Sequence, residues 1–319
     1  MVEVDRDHNV LWQFGDGSPV AGPNSIVGTN DAERVGGGLT LIAGTGTPAG
    51  ADDSCPIATF PNGCPDNRVI LVNRAGKIIW QYGQAGVTGS GFNELNTPVQ
   101  NTALPNGNVL ITDQGNERVI EVNKDHQIVW QYGQTGTIGS GFDQLNNPNS
   151  AELLENGHIL IADENNNRVI EVDRDHNIVF QYGSPSDTTT LNGAAFASRL
   201  RNGNTLITDS NNNRIVEINA QSQVVFTYIT NTRPGSIDNP LPTRAVRLRN
   251  GHTLISDQFN DQVIEIDKKS KIVFAQGSIQ QDGNGFNQLN APYDAKVIGD
   301  FTGLTPPGDF AEHFQDDDC

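Results

Sequence analysis

The chain is short of positive charge, of long apolar runs and of helical periodicity. Its 20 basic side chains face 38 acidic ones, leaving −18, and a field of that sign repels phosphate backbones and excludes nucleic acid as a partner. The same acidity keeps a secreted protein soluble. No apolar run approaches the roughly 20 residues of a membrane span, no cleavable leader precedes the first strand, and no segment of useful length has a 3.6-residue period. There is no GxSxG, HExxH, CxxCH or Walker motif, which removes the enzyme classes those patterns mark. Met1 falls inside a strand, so the sequence reads as a mature or trimmed form.

Cysteine is scarce too, with three in 319 residues. Cys55 and Cys64 lie in a loop with Pro56, Pro61 and Pro65. They read either as a small disulfide clip, which implies an oxidising compartment, or as two reduced thiols. Cys319 is left over at the end of an acidic tail, 306–319, either free or available for an intermolecular bond.

What the chain does have is a repeat of about fifty residues, and that decides the fold before anything else. NVLITDQGNERVIEVNKDHQIVWQYG from Asn108 returns as HILIADENNNRVIEVDRDHNIVFQYG from His158, with weaker copies from Asn204, from His252 and around Asn67. An apolar marker recurs at Val35, Leu104, Leu154, Leu200, Leu248 and Ile298, and an Arg at Arg68, Arg118, Arg168 and Arg214, with Gln262 in the fifth copy. An aromatic column runs Trp12, Trp80, Trp130, Phe180, Phe226 and Phe274. The end of the repeat is found at 1–14 and its beginning at 290–304, so a sixth copy is split between the termini.

Each copy holds four β-rich runs separated by Asn-Gly and Asp/Asn turns. In the third they span 149–153, 158–162, 168–172 and 178–182. This predicts an all-β, six-bladed β-propeller with four antiparallel strands per blade. Residues 1–305 form one domain, with blade six divided between 1–15 and 287–305 and closed by strands from both termini, which leaves no open edge. The stretch GSGFDQLNNPNSAELLENGHILIADENNNRVIEV, Gly139 to Val172, resembles the NHL repeat. That resemblance implies the propeller fold, and it implies no single job. NHL-like propellers include protein-binding and RNA-binding modules, extracellular sensors, and lyases or hydrolases that use a metal in the central channel.

Repetition separates scaffold from site within one chain. Asp113, Asp163, Asp209 and Asp257 end the second strand of their copies, next to Asn116, Asn166, Asn212 and Asn260. Their recurrence argues for turn and blade contacts with the Arg column, not for a ring of catalytic carboxylates. In the first copy the Asp is Gly44. His8, His126 and His176 share the hairpin between third and fourth strands, His158 and His252 sit in Asn-Gly turns, and His313 is in the tail. None falls at the expected channel mouth, which counts against the His-dependent lyases and the arylsulfotransferase-type propellers that the IVWQYG strand resembles.

Variation is concentrated at the start of the first strands, at pairs Asn30-Asp31, Val99-Gln100, Asn149-Ser150, Ala195-Phe196, Thr243-Arg244 and Tyr293-Asp294. Strands alternate sides, so one member of each pair faces the channel. The second column, Asp31, Gln100, Ser150, Phe196, Arg244 and Asp294, carries the more functional mixture, with Asn30 and Tyr293 beside it. A second asymmetry is the 33-residue interval from Val35 to Arg68, where other copies use 14, so 33 − 14 = 19 residues are inserted in a loop, 44–67, with Asp52, Asp53 and Phe60.

The reading that follows is a secreted, extracellular or periplasmic binding module, for a protein or small polar ligand, acting through the channel mouth and the blade-one loop. One rival is an enzyme at the same mouth, resembling the calcium-dependent propeller lactonases. There Asp31 and Asp294 would hold Ca²⁺ and Arg244 would orient an anionic substrate. The other is a structural part of an extracellular assembly linked through Cys319.

Overall fold

The repeated apolar runs are only five or six residues long and rich in Val, Ile and Leu, so they form short strands and reverse at the polar turns between them. In a computed structural model describing residues 1–51 and 54–314, the chain opens with a hairpin of β1 (Val2–Val4) and β2 (Val10–Gln13). Blade one follows as β3 (Thr29–Arg34), β4 (Thr40–Thr47), β5 (Cys64–Val72) and β6 (Ile78–Gly83). Blade two is β7 (Pro98–Ala103), β8 (Val109–Asp113), β9 (Arg118–Val122) and β10 (Ile128–Tyr132). Blade three is β11 (Pro148–Leu153), β12 (Ile159–Asp163), β13 (Arg168–Val172) and β14 (Ile178–Gly183). Blade four is β15 (Ala194–Arg199), β16 (Thr205–Asp209), β17 (Arg214–Ile218) and β18 (Val224–Ile229). Blade five is β19 (Arg244–Arg247), β20 (Thr253–Asp257), β21 (Gln262–Ile266) and β22 (Ile272–Gln276). Every blade pairs its strands antiparallel in sequence order.

The expectation of six blades is therefore corrected to five. β1 and β2 pair only with each other, and 287–305 contains no strand, so the predicted closure of a sixth blade by both termini is not formed. The reason lies in how that segment satisfies its backbone. It does not lie in Pro292, whose counterparts Pro98 and Pro148 open β7 and β11; the segment turns at Val297–Asp300 and again at Phe301–Leu304 instead of running on as a strand. Side chains take the place of a ladder: the Asp300 carboxylate accepts the Arg249 N–H at 2.8 Å, and Glu152 accepts the Thr305 N–H at 2.8 Å.

The fold divides into two compact units, one holding 1–5, 10–137 and 306–314, the other 6–9 and 138–305. The first contains blades one and two around Leu41, Val69, Leu71, Tyr82, Ile111 and Ile120. The second contains blades three, four and five, with separate apolar clusters between their sheets. Asp52, Asp53 and Cys319 lie outside the described residues, as does 315–319 of the acidic tail.

Within a unit, neighbouring elements meet at a recurrent junction. An Arg ending a first strand lies over the aromatic of the preceding fourth strand and bridges to the Glu paired with that aromatic. Arg199 is 5.2 Å from the Phe180 ring and 2.9 Å from Glu171. Arg247 makes the same contacts to Phe226, 5.5 Å, and Glu217, 2.8 Å. Arg34 stacks on Trp12 at 4.6 Å and reaches Glu3 at 2.6 Å. Each combines a cation–π contact with a charge-assisted hydrogen bond. Between blades one and two both polar members are replaced, the Glu by Leu71 and the Arg by Ala103, and the aromatic is Trp80.

Candidate functional site

The recurrent Asp-Arg pairs are buried scaffold. Asp113 and Asp163 each bind an Arg Nε at 2.7 Å, Arg118 and Arg168 respectively, and Asp209 binds Arg214 at 2.6 Å. Their other oxygens accept the backbone N–H groups of Asn96, Asn146 and Asn192, which pins the loop entering each blade. Burial pushes the Asp113 and Asp163 carboxyls up from the ordinary value, and the facing Arg and Asn partners only partly offset it. The two irregular copies keep the contact by other means. A Cβ on Gly44 would lie 2.8 Å from the Asp66 carboxyl carbon, and Asp66 itself pairs with Arg68. Where Gln262 replaces the Arg, Asp257 pairs with Arg233 from the preceding loop.

The histidines line blade walls in the same way. His158 and His252 hydrogen-bond Glu171 and Glu265 at 2.8 and 2.7 Å, while His126 stacks on Trp80 at 5.8 Å and His8 on Phe274 at 5.5 Å. Among the described residues, no group of three or more His, Cys, Asp and Glu is placed to hold a metal ion.

The variable column divides between the units. In the first, the register shifts between Thr29 and Asp31 and between Pro98 and Gln100, so Asn30 and Val99 sit at bulges and Asp31 and Gln100 pair across to Ala43 and Thr112. Asp31 is buried, and one of its oxygens accepts the Asn101 N–H at 3.0 Å; Glu33 does the same for Ala103 at 3.2 Å. These carboxylates satisfy donors on the open edge of the next first strand. Gln100 is also buried, with its amide 3.5 Å from the Thr102 hydroxyl.

In the second unit Ser150 plays the same part, accepting the Ala197 N–H at 3.2 Å. Arg244 and Asp294 come together as a buried pair at 2.7 Å. The Arg244 guanidinium lies 4.4 Å from the Phe196 ring, and Lys296 approaches the second Asp294 oxygen at 3.1 Å. The Tyr293 hydroxyl meets the Asn149 amide at 2.8 Å, and Asn149 also donates to Glu164 at 2.8 Å. Burial raises both Glu164 and Tyr293, and the Glu164 charge pushes Tyr293 further up. These donors do not fit calcium. Asp294 is flanked by two cations and an Asp31 oxygen accepts an amide, whereas Ca²⁺ takes six or more oxygens. Sequence reasoning missed Lys296, Glu164, Asp66 and Arg233. Only the last two left a signal, since an Asp column without its Arg, or an Arg without its Asp, demands a substitute nearby.

The inserted loop is the other asymmetric feature. It lengthens the β4–β5 hairpin by the pairs Gly46↔Pro65 and Thr47↔Cys64. Cys55 and Cys64 form a disulfide that is buried against Val27, with Ala21 and Phe60 packed on it. Ile57 is 64% exposed on this extension.

The fold of four-stranded antiparallel blades is similar to that of solved structures. Similar to this chain are a streptogramin B lyase (TM-score 0.53, 14% identity, covering 84% of this chain and 72% of that one) and a protein of unknown function from Bacteroides caccae (TM-score 0.57, 16% identity, 86% and 88%). The WD40 propeller domain of Doa1 is similar as well (TM-score 0.52, 11% identity, 86% and 77%). The chain folds as a β-propeller. No protein-family model matches it, and no curated protein does. At these identities the likeness is one of fold, and propellers carry unrelated functions on the same blades.

Proposed function

We propose that this propeller is a secreted or periplasmic binding module of the NHL-like kind. It takes a protein or small polar ligand through the blade-one extension and the channel mouth. The observation that carries this reading is the extension itself: a hairpin lengthened beyond its blade, clipped by Cys55–Cys64 and presenting Ile57 to solvent. Rigid loops on a regular scaffold are where recognition concentrates, because pre-ordering lowers the entropy lost on binding. The disulfide, together with the lack among the described residues of any helix long and apolar enough to span a membrane, is compatible with an oxidising, extracytoplasmic location.

The calcium-enzyme alternative receives no support from the donors. Asp294 already faces Arg244 and Lys296, and one Asp31 oxygen is taken by the Asn101 amide.

The test is a binding screen of immobilised full-length chain against extracellular proteins and small polar solutes. Each hit is repeated on Ile57→Asp, whose melting temperature is expected to match the wild type. Weakening of about tenfold or more supports the reading. Hits that bind Ile57→Asp as tightly as wild type overturn it. In parallel, calcium and chelator are expected to leave the melting temperature unchanged.

A further inference from the structure

The junction between blades one and two is the only one inside the first unit to lose both the Glu and the Arg, and its replacement is specific. With Leu71 and Ala103 in those places, Val35, Leu39 and Trp80 line an apolar recess, and the chain's own 310–314 turn fills it. Phe310 is 0% exposed there. Phe314 lies edge-on to Trp80 at 5.9 Å and 5.0 Å from the Phe310 ring. A Cβ on Gly107 would come within 2.5 Å of the His313 ring, so the segment packs closely on the blade-two turn.

The segment cannot owe its shape to itself. A five-residue 3₁₀ turn, Phe310–Phe314, is far below the length at which an isolated helix is stable. Its backbone bonds, Phe310 N–H to Pro307 and Glu312 N–H to Asp309, are local. It is preceded by Pro306-Pro307-Gly308, with Gly308 at φ +54°. The recess therefore imposes the conformation, as a receptor groove does on a short peptide carrying two aromatic anchors.

We propose that the blade-one/blade-two junction is a peptide-docking groove. Its ligand is the Phe-x-x-x-Phe segment 306–314, held here by the same chain and exchangeable with that of a second copy. Exchange would link copies through an element each already possesses. The second copy is the favoured occupant because it carries the one sequence the groove is seen to accept, and because no carboxylate remains at position 71 to oppose an acidic turn.

The experiment uses a fluorescent peptide of residues 306–314 and full-length chains. Phe310→Ala/Phe314→Ala empties the groove without shortening the protein. The peptide is expected to bind this variant at least about tenfold more tightly than it binds wild type, whose groove is occupied. Adding Leu71→Glu and Ala103→Arg is expected to abolish that binding. Equal affinity for emptied and occupied chains, or no loss in the quadruple variant, overturns the proposal. Should the emptied variant fail to fold, wild type is followed by hydrogen exchange at the Phe310 and Glu312 amides. Excess peptide is expected to accelerate both, and unchanged exchange overturns the proposal.

Discussion

The junction between blades three and four and the junction between blades one and two occupy the same place in the repeat and are held by different physics. The first sets Arg199 over Phe180 and against Glu171, with Arg199 partly in solvent and Glu171 buried. The second has Leu71, Ala103 and Trp80 closed over by Phe310. A partly exposed ion pair is worth about 1 kcal/mol and a cation–π contact a similar amount, whereas a fully buried Phe contributes roughly 1.5–3 kcal/mol. A repeat can thus exchange a modest polar tie for a stronger apolar one, provided another segment arrives to cover it. In this chain that segment comes from beyond the last blade.

The sharpest way to break the comparison is Phe310→Ala. It removes a fully buried ring, so a loss of about 3 kcal/mol is expected in urea unfolding, with detachment of 310–314 setting the limit. Next, Leu71→Glu with Ala103→Arg builds the polar junction in the apolar place. The new pair recovers little of what the displaced turn contributed, so a net loss of about 2 kcal/mol is expected, with new proteolytic cleavage after Phe310. Arg199→Ala and Arg247→Ala each remove one polar tie and are expected to lose about 1 kcal/mol, similar to one another, in the same assay.

The smallest effect separates the junctions by pH. Burial alone would raise Glu171, but hydrogen bonds from His158 and Asn156 and the Arg199 charge outweigh it, so its carboxyl titrates below the ordinary value; Glu265 is likewise lowered, with His252 and Arg6 overcoming its burial. A carboxyl lowered by folding stabilises above its unfolded value, near 4.3, and that stability is lost as pH falls from there towards the folded value. Hydrogen exchange corrected for intrinsic rate, compared at pH 6 and pH 3.5, is expected to show loosening at the β13–β14 junction and none at Phe310. Equal loosening at both would show that ionisation does not distinguish them.

Much of this fold is legible in the chain because its determinants are local. Alternating apolar runs and Asn-Gly turns mark each strand, and the predicted third copy lies within a residue or two of β11 to β14. The sixth blade misled for the same reason. Asn290 to Leu304 carries the right opening residues, but a strand needs a neighbour to pair with, and this segment turns at Val297–Asp300 and Phe301–Leu304 without one. The site was less legible. Arg244 and Asp294 were matched by their shared column, while Lys296 fell outside it, and Asp31 looked like a ligand although its carboxylate serves the Asn101 amide.

By itself the sequence determined the all-β repeat, the four strands per blade and the scaffold role of the recurrent Asp and Arg, since each follows from spacing within about fifty residues. Only the tertiary structure decided the blade count, the use of Asp31 and Ser150 as ties between first strands, and the docking of Phe310 some 200 residues along the chain from Leu71 and Ala103. Those outcomes depend on which donors and apolar faces are left unsatisfied once the blades have formed, and no local pattern records that.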